Sequence, residues 1–179
     1  LISSIVNVSN ASSTVAFEGI AFANLTVSGA GNCYLTGCRA STSVTKSGSG
    51  YFQALNCGFD SSGGTSITGT GSCVFDGGQQ GFVTINNAGA LVTVKNNISM
   101  YQSSVSAGLL DLQNSVVYSS TNTANAVTTS SGTTFSVNGS RFVTPSGTSA
   151  RLSIGGIYAI SDTSFDYNNT TFGASSVNL

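Results

Sequence analysis

Residues 54–59 read "ALNCGF", and this stretch predicts the fold because relatives of it recur along the chain. Each relative begins with an apolar residue and has Gly, Asn or Asp in third place. The units start 18, 19, 21, 19, 18, 25 and 23 residues apart, which indicates a repeat protein with a loose period. They are "FEGIAF" from Phe17, "LTGCRA" from Leu35, "ALNCGF" from Ala54, "FDGGQQ" from Phe75, "VKNNIS" from Val94, "LQNSVV" from Leu112, "VNGSRF" from Val137 and "ISDTSF" from Ile160.

The third place of the unit predicts a bend, because Gly, Asn and Asp tolerate the left-handed backbone of a sharp corner. This bend column is Gly19, Gly37, Asn56, Gly77, Asn96, Asn114, Gly139 and Asp162. The first place and the residue two positions earlier alternate like the buried side of a β-strand. The predicted core column is therefore Phe17, Leu35, Ala54, Phe75, Val94, Leu112, Val137 and Ile160.

A second strand is predicted after each bend, with inward residues Phe22, Ala40, Phe59, Phe142 and Phe165. In two units the apolar residues sit one place later, which predicts a bulge at those corners: Ile98, Met100, Val116 and Tyr118. A third apolar burst precedes most units, as in "NLTV" at 24–27 and "FVTI" at 82–85. Three short strands per coil predict an all-β fold, a parallel β-solenoid of about eight coils of 18–25 residues.

We interpret residues 1–179 as a single solenoid domain that is a fragment of a longer chain. Neither end carries a recognisable cap, and an uncapped coil exposes unpaired backbone. We therefore expect the ends to be covered by more of the same polypeptide or by neighbouring subunits, and the isolated segment to associate end to end.

The repeat resembles that of the right-handed parallel β-helix family, which includes pectate lyases and many bacteriophage tailspikes and tail fibres. The resemblance rests on the h-x-[Gly/Asn/Asp]-x-x-h unit and on a ladder of Asn residues at the bends, and it covers roughly residues 15–172. Right-handed coiling is implied by this resemblance. Because the fold carries lyases, hydrolases, adhesins and inert shafts alike, the resemblance implies an architecture and leaves the activity open.

Composition argues against an enzyme. Only 6% of the residues are charged, against about 25% in a typical domain, and the chain has no His to act as a general base. A glycosidase needs two carboxyl groups about 5–9.5 Å apart. Glu18 and Asp76 share a column, but three coils, about 14 Å, separate them. Asp60 and Asp76 lie one coil apart in different columns, and Asp111, Asp162 and Asp166 are interpreted as turn or surface residues. We therefore predict no catalytic residues.

Binding motifs are equally sparse. The chain lacks zinc-ligand spacing and the calcium nonapeptide repeat, so no metal or other cofactor is predicted. Its five basic residues are scattered and its net charge is −1, which gives no electrostatic reason to bind nucleic acid. No segment approaches the about 20 apolar residues of a membrane span. The Asn-x-Ser/Thr tripeptides are interpreted as chance products of composition: Asn7, Asn10, Asn24, Asn97, Asn138, Asn168 and Asn169.

The four cysteines allow two interpretations. Cys38 and Cys57 occupy the same column of adjacent coils, about 4.8 Å apart, so a disulfide between them is geometrically possible. Cys33 and Cys73 lie in an inward column two coils apart. Because Cys also stacks well as a small buried residue, we favour free, inward thiols.

Two classes of function fit the sequence. The first, favoured by the low charge and the high Ser, Thr, Gly and Asn content, is a non-enzymatic structural or adhesive module of a viral fibre or tailspike. Such a module would be on a virion or extracellular, as a homotrimer or beside other structural subunits. The second is a secreted domain that binds or degrades carbohydrate, with surface glycans as partners and Tyr34, Tyr51, Tyr101 and Tyr167 as the free aromatics. An ice-binding face requires a regular Thr column, and none is expected beyond two or three coils.

Overall fold

The computed structural model describes residues 5–9, 11–59, 64–97, 99–118, 125–143, 151–165 and 171–172, and no helix occurs among them. These residues form one continuous sheet of 21 strands, and every strand pair within it is parallel. The sheet winds into about seven turns of a β-solenoid. The predicted all-β parallel solenoid is therefore confirmed.

The strands are short, and they follow one another in chain order as β1 (Ile5–Val8), β2 (Val15–Glu18), β3 (Ala21–Val27), β4 (Cys33–Thr36), β5 (Arg39–Lys46), β6 (Phe52–Leu55), β7 (Gly58–Phe59), β8 (Thr65–Ile67), β9 (Gly71–Asp76), β10 (Gln79–Gln80), β11 (Val83–Lys95), β12 (Ser99–Met100), β13 (Ser103–Gln113), β14 (Val116–Tyr118), β15 (Asn125–Thr129), β16 (Thr134–Asn138), β17 (Arg141–Val143), β18 (Arg151–Ile154), β19 (Ile157–Ser161), β20 (Ser164–Phe165) and β21 (Thr171–Phe172).

Three ladders of stacked strands run along the solenoid. The first ladder, before the bends, consists of β2, β4, β6, β9, β11, β13, β16 and β19. The second, after the bends, consists of β3, β5, β7, β10, β12, β14, β17 and β20. The third consists of β1, β3, β5, β8, β11, β13, β15, β18 and β21. Because β3, β5, β11 and β13 continue through a corner, each belongs to two ladders.

The bend column lies at the corner between the first and second ladders. Its eight residues all have positive φ, from 46° at Asp162 to 70° at Gly77. Asn56, Asn96, Asn114 and Asp162 are also the only residues other than glycine with positive φ among those that the structure describes. The left-handed backbone therefore bends the chain at the equivalent position of each coil.

The core column is in register from Phe17 to Ile160 along the first ladder. Its six middle members are at most 1% exposed. Phe17 and Ile160 are half-buried because they occupy the first and last rungs of that ladder. Identical positions of successive coils therefore stack into one continuous apolar core.

The sequence predicts a bulge at two corners, and the structure has it at the first of them, after Asn96, but not at the second, after Asn114. Met100 is buried four residues after Asn96, one place later than in the other coils, as a bulge requires. After Asn114, however, Val117 is buried at the regular third place and pairs with Met100 and Phe142, while Val116 and Tyr118 are half-buried. Three successive apolar residues hid the alternation in the sequence.

The ladder of Asn residues at the bends is not a ladder of hydrogen bonds between their amides. Among the described bend residues, no Asn side chain donates a hydrogen bond to another Asn of the column; the Asn96 amide instead donates to the Asp76 carboxylate of the preceding coil at 2.9 Å. The Asn56 amide oxygen lies where a Cβ on Gly77 would be, and the Asn114 oxygen has the same relation to Gly139. At these two places the glycine therefore leaves room for the Asn amide of the preceding coil.

Asn56→Val is expected to destabilise the protein by about 1–3 kcal/mol, because a β-branched residue is strained at the φ of 50° found there. The matched control is Thr36→Ala, on an exposed side chain of the same ladder, which should change stability by less than about 0.5 kcal/mol. Denaturant midpoints measure both. Equal sensitivity at the two positions would contradict the register described above.

Candidate functional site

The carboxylates are held apart by the fold. Glu18 and Asp76 share an outward column, as the sequence predicts, but Thr36 and Leu55 stand between them. The described carboxylates lie at least two coils from one another, and Asp60 and Asp166 lie outside the described residues. No two described acids therefore occupy adjacent coils, as a stacked catalytic pair would require.

Asp76 is a hydrogen-bond acceptor within an outward cluster. It accepts a hydrogen bond from the Asn96 amide, and its carboxylate is 3.1 Å from the Lys95 ammonium. The Asn96 hydrogen bond, helped by Lys95, holds the pKa of this carboxyl below its usual value. Asp76 therefore stays ionised at neutral pH and is unsuited to donate a proton. Asp111 similarly accepts from the Gln113 amide at 2.6 Å.

In the described part of the chain, no group of three His, Cys, Asp or Glu residues lies close enough together to hold a metal ion. The same residues include no helix with the length and apolar character needed to cross a bilayer. The Asn-x-Ser/Thr tripeptide at Asn97 cannot accept a glycan in the folded protein, since Asn97 is 1% exposed and its amide donates to the Gly77 carbonyl.

All four cysteines are free and buried. Cys33 and Cys73 point into the core on either side of Phe52. Cys38 and Cys57 follow successive bends, and each thiol donates to a backbone carbonyl, Cys38 to Phe17 at 3.4 Å and Cys57 to Leu55 at 3.4 Å. Burial raises the pKa of Cys33, Cys57 and Cys73 to about 11.

The thiols are expected to be inert in the folded protein. With a pKa of about 11, the thiols of Cys33, Cys57 and Cys73 are ionised to only about a thousandth at pH 8, and burial denies reagents access to all four cysteines. Alkylation by iodoacetamide at pH 8 should leave the native chain unmodified and label four sites after unfolding. Labelling of Cys38 or Cys57 at the rate of an exposed peptide thiol would contradict this packing.

Lys46 is a core residue, which the scattered distribution of basic residues did not reveal. It is 1% exposed and occupies an inward position of the third ladder, between Val27 and Ile67 of the neighbouring coils. Its ammonium donates a hydrogen bond to the Thr70 carbonyl. Burial lowers its pKa. The only sequence signal was the position of Lys46 in the strand, two residues after the buried Val44.

A shallow groove of about 230 Å³ lies on the outer side of the third ladder. Phe82, which is 36% exposed, and Gln102 line it. The hydroxyl-bearing residues Thr84, Ser103, Ser104 and Thr128 also line it, and no charged residue takes part. The groove therefore combines an aromatic ring with neutral hydrogen-bonding groups.

Two pairs of outward tyrosines lie outside this groove. Tyr34 and Tyr51 approach with ring centroids 5.7 Å apart, and Tyr101 and Tyr118 with centroids 6.3 Å apart. Tyr34, Tyr51 and Tyr101 were predicted to be free of the core, and all three are half-buried at the surface. Tyr167 lies outside the described residues.

A column of hydroxyl side chains runs along the outside of the third ladder. As expected, Thr itself never occupies more than two successive coils of it, but Ser takes the other positions, so the hydroxyl groups continue. Variable loop lengths between the coils concealed it, because the register becomes visible only once the third strands are stacked. Its members occupy seven successive coils: Thr26, Thr45, Ser66, Thr84, Ser104, Thr128 and Ser153.

Comparison with known proteins gives no relative: no protein-family model, no curated protein and no solved structure matches this chain. The functional interpretation therefore depends on the geometry of the solenoid and its surfaces.

Proposed function

We propose that this chain is a non-enzymatic structural or adhesive module of an extracellular or virion fibre, with the right-handed coiling of the phage tailspikes and tail fibres that its repeat resembles. The core column that runs in register from Phe17 to Ile160 carries the proposal. A core of stacked identical positions gives a rod, whose stability comes from contacts between neighbouring coils.

The outer surface supports a mechanical or adhesive role over a chemical one. The described carboxylates are dispersed over separate coils, and Asp76 is held ionised by its neighbours. The surface is instead formed by neutral side chains arranged in columns, which offer repeated contacts to a partner with a matching repeat.

Self-association is part of the proposal and is supported by the first ladder. Leu91 is 51% exposed and Ile157 55% exposed, and both lie in one outward column with the half-buried Leu109; Thr134 separates Leu109 from Ile157. A largely apolar column parallel to the rod suits burial against other copies arranged around a common axis. We propose a homotrimer, with neighbouring structural subunits as the alternative partner.

Antibodies raised against the 179-residue chain test this function by immunogold labelling of virus particles and cells from the source culture. Label on fibres or on the cell surface is the expected result, together with a trimer mass by light scattering. Label confined to the cell interior, or release of reducing sugar from a panel of polysaccharides by the purified chain, would overturn the proposal.

Carbohydrate binding is the second candidate function, and the groove beside Phe82 favours it. A neutral sugar ring stacks on an exposed aromatic ring and takes hydrogen bonds from hydroxyl and amide groups such as those of Thr84 and Gln102. A glycan array probed with the wild-type chain and with Phe82→Ala tests this. Binding that the substitution abolishes supports the candidate, and the absence of any glycan binding by the wild type excludes it.

A further inference from the structure

The hydroxyl column of the third ladder is doubled by a second outward column. Two residues farther along each strand stand exposed polar side chains, most of them hydroxyls: Ser28, Ser47, Thr68, Asn86, Ser106 and Ser130. Residues of this column still form backbone hydrogen bonds to the neighbouring coil. Ser47 N–H donates to the Val27 carbonyl at 2.9 Å, and Ser130 N–H donates to the Val105 carbonyl at 2.9 Å. We call the two columns together the hydroxyl face.

The hydroxyl face repeats in two directions from Thr26 to Thr84. Beyond Thr84 a register shift between Ile85 and Asn86 places Asn86 opposite Ala107, so the second column is displaced by one residue there. Rungs of a parallel ladder are about 4.8 Å apart, and residues two positions apart along a strand are separated by about 6.6 Å. The first column keeps its register from Thr26 to Ser153 without a shift at any of its members. Seven rungs at that spacing extend for about 29 Å. A ligand that engages the whole face must itself repeat in two directions.

The hydroxyls of the first column are available to such a ligand. In the part of the chain that the structure describes, six of them make no hydrogen bond to another protein group: Thr26, Thr45, Ser66, Thr84, Ser104 and Ser153. Their strands are held by ladders on both sides and by a buried core, so the spacing of the hydroxyls is fixed before binding. A pre-ordered surface loses little conformational entropy on contact.

The chemistry of the hydroxyl face narrows the class of ligand. Neither column contains a charged residue, which argues against a mineral or an ionic polymer. Neither contains an aromatic residue. Phe82 stands beside Thr84 as a single ring, whereas crystalline polysaccharides are recognised chiefly by stacking on a flat row of rings. Ice, by contrast, presents neutral oxygen atoms at repeats close to those of the two columns, and ordered water on the hydroxyls can continue its lattice.

We propose that the hydroxyl face binds ice, through water molecules ordered on its two columns. The proposal rests on this face alone and does not depend on the fibre function. Each coil contributes a weak contact, and their number makes attachment strong, since contacts that engage simultaneously add their free energies. A bulky side chain at one central rung should therefore hold the flanking rungs away from the ice surface as well.

Ice-affinity partition tests the proposal. Ice is grown slowly on a cold finger from a dilute solution of the 179-residue chain, and the chain is quantified in ice and in the remaining liquid. The wild type should be enriched in the ice. Thr84→Tyr, which places a ring in the centre of the first column, should lose this enrichment, whereas Thr93→Tyr, outward on the first ladder, should keep it. Ser104→Tyr repeats the test at the next rung if Thr84→Tyr does not fold.

Each outcome is decisive once circular dichroism shows that the variants are folded. Enrichment of the wild type and of Thr93→Tyr, with loss in Thr84→Tyr or Ser104→Tyr, supports an ice-binding face. A wild type that is excluded from ice overturns the proposal. So does retention on insoluble cellulose or chitin without enrichment in ice, which would assign the face to a glycan surface.

Discussion

Gly48→Ala is expected to destabilise the protein by about 3 kcal/mol or more, although it adds a single methyl group. A Cβ at Gly48 would lie well inside the van der Waals radius of the Gly29 carbonyl oxygen in the preceding coil, and Gly69 has the same relation to Gly48. The obstacle is backbone on a hydrogen-bonded ladder, where Gly48 N–H itself donates to the Val27 carbonyl at 3.1 Å. The clash between the added methyl group and the Gly29 carbonyl can therefore be removed only if the two coils separate at this corner.

Gly58→Ala is the matched control. The nearest atom to a Cβ there is the Arg39 Cγ at 3.9 Å, an ordinary contact, and the backbone does not have positive φ. The same substitution should thus be neutral or stabilise by up to about 1 kcal/mol, through the lower entropy of the unfolded chain. Thermal or denaturant unfolding measures both. A small effect at Gly48 would show that the coils are not in close contact at this corner.

Phe75→Ala is expected to cost about 3–5 kcal/mol, since it removes a fully buried ring from the middle of the core column. The ring contacts Phe52, with centroids 5.7 Å apart, and packs edge-on against Phe59 at 6.1 Å. Backbone ladders fix the neighbouring coils, so the cavity has little freedom to collapse. The loss should appear as a shifted denaturant midpoint.

Phe82→Ala is the control for Phe75→Ala, because it removes the same kind of ring from an outward position. Phe82 is 36% exposed, so its removal should cost less than about 1 kcal/mol. The cooperativity of unfolding should be unchanged. Equal costs at Phe75 and Phe82 would mean that the inward and outward sides of these strands had been exchanged.

The architecture was predictable because two signals act locally. Gly, Asn and Asp tolerate the positive φ of a sharp bend better than other residues, and all eight bend positions have it. Apolar residues two positions apart predict which side of a short strand is buried. The signal failed where it was ambiguous, as at Val116–Tyr118, where three apolar residues in a row give no alternation and the middle one is buried.

The surfaces were harder to predict because they depend on contacts between coils. Lys46 looked like a surface charge, yet its place in the third ladder buries it beneath Ile67. The hydroxyl face was missed because third strands follow loops of variable length, which shift Ser and Thr out of a fixed period. The tight corner at Gly48 depends on the approach of Gly29 from another coil, which no single unit reveals.

Disulfide trapping tests the register of the solenoid most directly. Thr84 and Ser104 are paired rungs of the third ladder, so Thr84→Cys with Ser104→Cys places two outward thiols about 4.8 Å apart by their Cα atoms, within the range a disulfide spans. The control pair, Thr84→Cys with Gln102→Cys, differs by two positions and lies about 8 Å apart, too far for a bridge. Mass spectrometry after mild oxidation and alkylation should find the intramolecular bridge in the first variant alone. Bridging in the control, or no bridging in the first variant, would contradict the stacking of coils from which the core and the hydroxyl face both follow.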